Sequence, residues 1–88
     1  MAYNYEKIKP KIFIEAHQRL FLEIRDKVHG FLNESGVAKM GFILNGSSGD
    51  VWVMMACVDR LVELGEIKEV FHGDCAGQDR MFIKNRVA

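Results

Sequence analysis

The stretch Cys57-Val58-Asp59-Arg60-Leu61-Val62-Glu63-Leu64-Gly65-Glu66-Ile67 decides the fold. Its apolar residues recur at helical spacing, and Gly65 then stands where a left-handed residue commonly ends a helix. Residues 67–71 and 81–83 are strand-like and are separated by a glycine-containing loop. The stretch therefore predicts a helix that passes through a glycine directly into a β-hairpin.

Upstream of this stretch, residues 11–34 carry apolar side chains at spacings of three, four and seven, which predicts an amphipathic helix. Pro10 suits the entry to that helix, and Ser35-Gly36 suits its end. Residues 1–10 are polar and are expected to form a loose N-terminal arm. A single domain is then expected to cover residues 11–88.

Residues 37–44 are short and apolar, so periodicity alone leaves them open between a helix and a buried strand. A helix is favoured because Asn45-Gly46 is a good stop signal. Ser47 is expected to cap the next helix, with Asp50 three residues on as in a capping box.

The third helix is expected over about residues 48–64, with two distinct faces. The residues expected to face the core are Met54, Cys57, Val58, Leu61 and Leu64. Those expected to face outward are Val51, Trp52, Met55, Ala56 and Asp59. Trp52 has an alternative place, tucked against the rest of the domain as part of a small core.

Length and charge narrow the class of protein. Eighty-eight residues leave little room for both a core and a large catalytic cleft, so no enzymatic activity is expected. The chain carries 12 basic and 12 acidic residues, a formal net charge of zero. A dedicated nucleic-acid binder usually has a basic excess, because phosphate neutralisation supplies most of its nonspecific affinity.

The two cysteines, Cys57 and Cys75, do not form a disulfide framework, so a reducing cytoplasm is the expected compartment. The sequence offers neither a membrane-spanning apolar run nor the apolar core of a signal peptide, and no membrane partner is expected. His72 and Cys75 lie close in sequence, but two ligands fall short of a zinc site. No metal, cofactor or catalytic residue is therefore predicted.

The order of helix, short helix, turn, helix, strand, loop and strand resembles the winged helix-turn-helix family over residues 13–83. The resemblance implies an α+β fold in which three helices precede a two-stranded β-hairpin wing. In DNA-binding members of that family, the third helix enters the major groove. Base readout there relies on Arg, Lys, Asn or Gln, because their donors match base edges.

The outward face of the third helix lacks those side chains, which favours a small regulator that acts by contact with another protein or with a second copy of itself. The residues expected at that interface are Val51, Trp52, Met55, Ala56 and Leu22. The alternative is a DNA-binding transcriptional regulator that uses the start of the third helix and the basic ends of the chain. The residues expected to contact DNA are Ser47, Ser48, Gly49, Arg60, Arg80, Lys84 and Arg86.

Overall fold

Helices and short strands alternate along the chain in a computed structural model, which describes residues 2–70 and 77–85. The elements are α1 (Tyr5–Ile8), a 3-10 helix (Lys9–Phe13), α2 (Glu15–Ser35), β1 (Ala38–Lys39), α3 (Met40–Leu44), α4 (Val51–Glu63), β2 (Ile67–Val70), a 3-10 turn (Gly77–Asp79) and β3 (Met81–Lys84). The predicted α+β class is confirmed.

The strands form an antiparallel sheet in the order β1-β3-β2. In this register, Phe82 of β3 pairs with Ala38 on one side and with Glu69 on the other, and its ring is fully buried. The prediction of a two-stranded sheet is wrong in its strand count. The segment left open between helix and strand contains both, because its first residues pair with β3 before the chain turns into α3.

Specific end signals fix the limits of α4. Asp50 caps its start by accepting hydrogen bonds from the backbone N–H groups of Trp52 (2.8 Å) and Val53 (3.4 Å). The prediction of Ser47 as the cap is therefore wrong. Gly65 (φ 79°) ends the helix as predicted, with its N–H donating to Val62 O and the next N–H donating to Leu61 O.

The N-terminal residues are not a loose arm, and that prediction is wrong. Residues 2–14, called here the N-terminal strap, contain α1 and the 3-10 helix, and they bury Ile8 and Ile12. Consequently α2 begins at Glu15 and not at Lys11. Apolar burial against the rest of the domain outweighs the polar composition of the segment.

The central element is α4. It contacts the strap, α2, α3 and β2, and every residue from 53 to 58 is buried. Residues 53–58 are covered in this way, and all six are apolar. Leu64 was expected in the core, but it lies beyond the last helical residue and is about half exposed.

Candidate protein-interaction site

The five residues predicted to form a protein interface do not lie on one exposed face. Met55 is 7% exposed and Ala56 is 0% exposed, so the prediction that these two face outward is wrong. The reason is the packing of several elements around α4. Trp52 is partly buried and packs against the core, whereas Val51 and Leu22 are exposed.

Val51 belongs to a different apolar surface that includes α3. Phe42 is 60% exposed, and it lines with Val51 a depression of about 410 Å³. The Phe42 surface is defined here as Gly41, Phe42, Leu44, Asn45, Val51 and Gln78. The Phe31 ring supports Phe42 from α2, with ring centroids 6.4 Å apart. An exposed aromatic ring, in contact with Phe31 of α2, therefore lies beside an open depression.

A close approach of two backbones shapes this depression. A Cβ atom on Gly41 would meet the backbone oxygen of Gln78 at 3.3 Å, so only glycine lets the 3-10 turn lie against α3 without a shift. The 3-10 turn therefore forms one wall of the depression, and Gln78 belongs to that wall.

Sequence reasoning missed Phe42, although a signal was present. At 100° per residue, Met40, Ile43 and Leu44 fall on one side of a helix, and all three are buried. Phe42 then lies on the opposite side. The signal went unused because the segment was too short for its period to be assigned.

Two of the predicted DNA-contacting cations are already paired within the protein. Arg80 binds Asp59 at 2.6 Å and Glu69 at 2.8 Å, and all three side chains are mostly buried. Arg60 binds Glu63 at 2.6 Å and lies over the ring of Phe13. These pairs neutralise both arginines, which leaves less free positive charge for phosphate.

The other predicted DNA contacts are scattered. Ser48, Gly49 and Lys84 are exposed, and Arg86 lies outside the described residues. Ser47 accepts a hydrogen bond from Lys27 Nζ at 3.0 Å, and the same ammonium group donates to the backbone oxygen of Asn45. Lys27, which sequence reasoning did not select, therefore brings a positive charge to the segment that precedes α4.

Tyrosine and carboxylate side chains join the strap to α4. Tyr3 donates a hydrogen bond to Asp59 at 2.5 Å, and Tyr5 donates to Glu63 at 3.0 Å. Burial, followed by the hydrogen bond to the carboxylate, raises the pKa of each tyrosine above its usual value. Both phenols therefore stay protonated as donors at neutral pH.

Glu63 accepts hydrogen bonds from three different side chains in this contact. It accepts from Lys9 at 2.9 Å, from Arg60 at 2.6 Å and from Tyr5. The hydrogen bonds from Lys9 and Arg60 lower the pKa of Glu63 to about 2, well below its usual value.

Acid is expected to weaken this attachment. Because the pKa of Glu63 is lower in the folded than in the unfolded chain, its stabilising contribution is present above the usual carboxyl range and is lost as pH falls towards 2. We expect Glu63→Gln to be less stable than the wild type at pH 7, with the difference shrinking steadily between pH 5 and pH 2. Thermal melts of both chains across this range measure it. A difference that is constant with pH would contradict the assignment.

A second carboxylate, Glu66, connects α2 to β2. It accepts from Arg25 Nε at 2.9 Å and from His29 Nε2 at 3.0 Å. Burial raises the pKa of Glu66, but the hydrogen bonds from His29 and Arg25 outweigh burial and leave its pKa below the usual value. These contacts attach α2 to the start of β2, and each of the three charged or titratable side chains, Arg25, His29 and Glu66, has a partner.

Metal ligation and nucleophilic chemistry both depend on how the His, Cys, Asp and Glu side chains are arranged. Among residues 2–70 and 77–85, no three His, Cys, Asp or Glu side chains come together to hold a metal ion. His72 and Cys75 lie outside that part of the chain. Burial raises the pKa of the Cys57 thiol to about 11, so it remains protonated at neutral pH.

Within the same described ranges, no helix has the length and apolar character to cross a membrane. Comparisons of the chain with protein-family models, with curated proteins and with solved structures found no match.

Proposed function

We propose that the protein is a non-catalytic interaction module of the winged-helix type that binds another protein through the Phe42 surface. The observation that carries this proposal is an aromatic side chain that is 60% exposed beside an open depression. Aromatic residues are enriched at the centres of protein interfaces, where a pocket and a polar rim surround them.

The winged-helix part of the proposal rests on the order of the elements. The helices α2, α3 and α4 precede β2 and β3, which pair as an antiparallel hairpin. The glycine between α4 and β2 supports the same assignment. The strap and β1 are additions to the simplest form of this layout.

The rim of the Phe42 surface indicates the chemistry of the partner. Asn45 and Gln78 supply neutral polar groups, and Lys39 lies 3.8 Å from Asp79, so the charges near the ring cancel. The Lys39 ammonium also lies 6.0 Å from the centroid of the Phe42 ring. A rim of this kind suits a protein that inserts one apolar side chain flanked by polar groups.

DNA binding is the second candidate, and Lys27 with the exposed Ser48 and Gly49 favours it. Backbone N–H groups and lysines of this kind contact phosphates without reading bases. Affinity for a duplex would then fall steeply as salt is added. A gel-shift against mixed duplex DNA at low salt that shows no complex would remove this candidate.

Phe42→Ser is expected to weaken partner binding strongly while it leaves the fold intact. The partner is first identified with a photo-crosslinking residue placed at position 42, then purified and titrated calorimetrically. We expect a loss of affinity of about 30-fold or more, the range of an interface hot spot. The change in unfolding free energy should stay within about 0.5 kcal/mol, because Phe42 is exposed.

Leu22→Ser is the matched control, since Leu22 is 55% exposed but lies away from the Phe42 surface. It should bind the partner as the wild type does. Equal affinities for the wild type and Phe42→Ser would contradict the proposal. Equal losses in both variants would show that binding does not depend on this surface in particular.

A further inference from the structure

We propose that the protein exchanges its N-terminal strap with a second copy of the chain, by straightening the backbone at Ile14 so that residues 10–35 form one helix. The face of α4 beneath the strap is then an interaction surface, and its partner is the strap of the other copy. This inference is independent of the Phe42 surface.

The apolar pattern of the sequence runs through the break between the strap and α2. Apolar residues recur at spacings of three, four and seven on both sides of Ile14, at Phe13, Leu20, Ile24, Val28 and Phe31. Such spacing is typical of a continuous helix, as the sequence predicts from residue 11 onward. The structure instead interrupts the helix at Ile14, whose backbone is extended (φ −73°, ψ 147°).

Few contacts hold this interruption. Ile14 is the N-cap residue of α2, yet its side chain has no acceptor to satisfy the first N–H groups of the helix. His17 Nδ1 donates to the backbone oxygen of Lys11 at 2.7 Å. In a continuous helix, the N–H of Glu15 would occupy that oxygen. The imidazole therefore takes the place of one of the backbone hydrogen bonds that a continuous helix would form at this turn.

The contacts of the strap specify what replaces it on α4. Its buried Ile8 and Ile12, together with hydrogen bonds from Tyr3 to Asp59 and from Tyr5 to Glu63, match this surface. If the strap left α4 and nothing replaced it, a large apolar area on α4 would be exposed to water, which is unfavourable. A strap from a second copy restores every one of these contacts, so exchange changes only the junction.

The exposed apolar residues around the junction between the strap and α2 also favour a dimer. Phe13, Ile14 and Leu64 are each about half exposed. Phe13 and Leu64 also line, with Phe21 and Arg60, a depression of about 290 Å³. Exchange brings a second chain to this exposed apolar junction, and covering these side chains would stabilise the dimer relative to the monomer.

Two sets of variants distinguish two forms of the chain. In the bent form the helix is interrupted at Ile14, and in the straight form residues 10–35 are one helix. Glu15→Pro fits the bent form, because proline is favoured at the first helical position and the residue before it is extended. The same proline blocks the straight form, since it lacks the N–H and its ring clashes with the preceding turn. Ile14→Ala combined with His17→Leu favours the straight form by raising helix propensity and removing the imidazole bond.

The test is sedimentation of full-length chains refolded at concentrations on the order of 1 mM, where exchange competes with intramolecular closure. The wild type should give a mixture of monomer and dimer. Ile14→Ala with His17→Leu should raise the dimer-to-monomer ratio about tenfold, from one hydrogen bond and the propensity difference together. Glu15→Pro should be monomeric, with a thermal midpoint no lower than that of the wild type.

Isotope-filtered nuclear Overhauser effects, measured in a dimer of one labelled and one unlabelled chain, identify which strap contacts which α4. They should connect Ile12 of one copy with α4 of the other. Absence of dimer from the Ile14→Ala, His17→Leu chain would overturn the proposal, as would a dimer that survives Glu15→Pro. Phe42→Ser should leave the dimer unchanged, so loss of dimer in that variant would also overturn it, separately from any effect on the partner.

Discussion

Replacing Arg80 with alanine is expected to lower the free energy of unfolding by about 3 kcal/mol, because it leaves two mostly buried carboxylates without their cation. Arg80 binds Asp59 through both of its terminal nitrogens and binds Glu69 through Nε and Nη2. The cluster joins the residue that precedes β3 to α4 and to β2. Hydrogen bonds to Glu69 and then Asp59 raise the pKa of Arg80 further, so its charge is permanent.

Urea unfolding at pH 7 measures this effect, and two further chains isolate its cause. Arg80→Lys keeps the charge but cannot form the bidentate contact, so an intermediate loss is expected. Arg80→Met with Asp59→Asn and Glu69→Gln removes all three charges together and should cost less than Arg80→Ala alone. A loss below about 1 kcal/mol for Arg80→Ala would show that the cluster behaves as an ordinary surface pair.

Replacing Ile12 with alanine is expected to lower the free energy of unfolding by about 3 kcal/mol, the usual cost of truncating a buried isoleucine. Ile12 is 4% exposed and belongs to the 3-10 helix that packs on α4. The loss combines the removed apolar burial with the space left beside α4.

The control for this variant is Leu22→Ala, which shortens a side chain that is 55% exposed. Its effect should stay within about 0.5 kcal/mol. Denaturant curves for both chains give the comparison. Equal and small effects would mean that the packing of the strap on α4 contributes little to stability.

Local signals in the sequence were sufficient where one residue type determines the backbone. Gly65 adopts the left-handed conformation expected of it, and its two hydrogen bonds close α4 before the chain enters β2. The strand at residues 81–83 was predicted from its composition, and β3 contains it. These features depend on neighbours a few residues away, so sequence reasoning reaches them.

Features that depend on distant contacts were not predicted. Asp50 and Ser47 are both good capping residues, but Asp50 caps α4 and Ser47 accepts a hydrogen bond from Lys27 of α2. β1 forms only because β3, more than forty residues later, provides its partner. Met55 and Ala56 lie at positions that helical periodicity alone would expose.

In the candidate site, too, some features could be predicted from the sequence and others depended on distant contacts. The sequence correctly selected Val51 and Leu22 as exposed, but it missed Phe42 because residues 37–44 were too short for their period to be assigned. It also could not foresee that Arg60 and Arg80 pair with carboxylates brought to them by folding.

By itself, the sequence determined an α+β domain in which a helix ends at Gly65 and passes into a hairpin, since backbone conformation and hydrophobic spacing are local properties. The tertiary structure alone decided which residues of α4 are covered. A polar N-terminal segment covers that helix, because two isoleucines gain burial and two tyrosines find carboxylates only after the chain has folded.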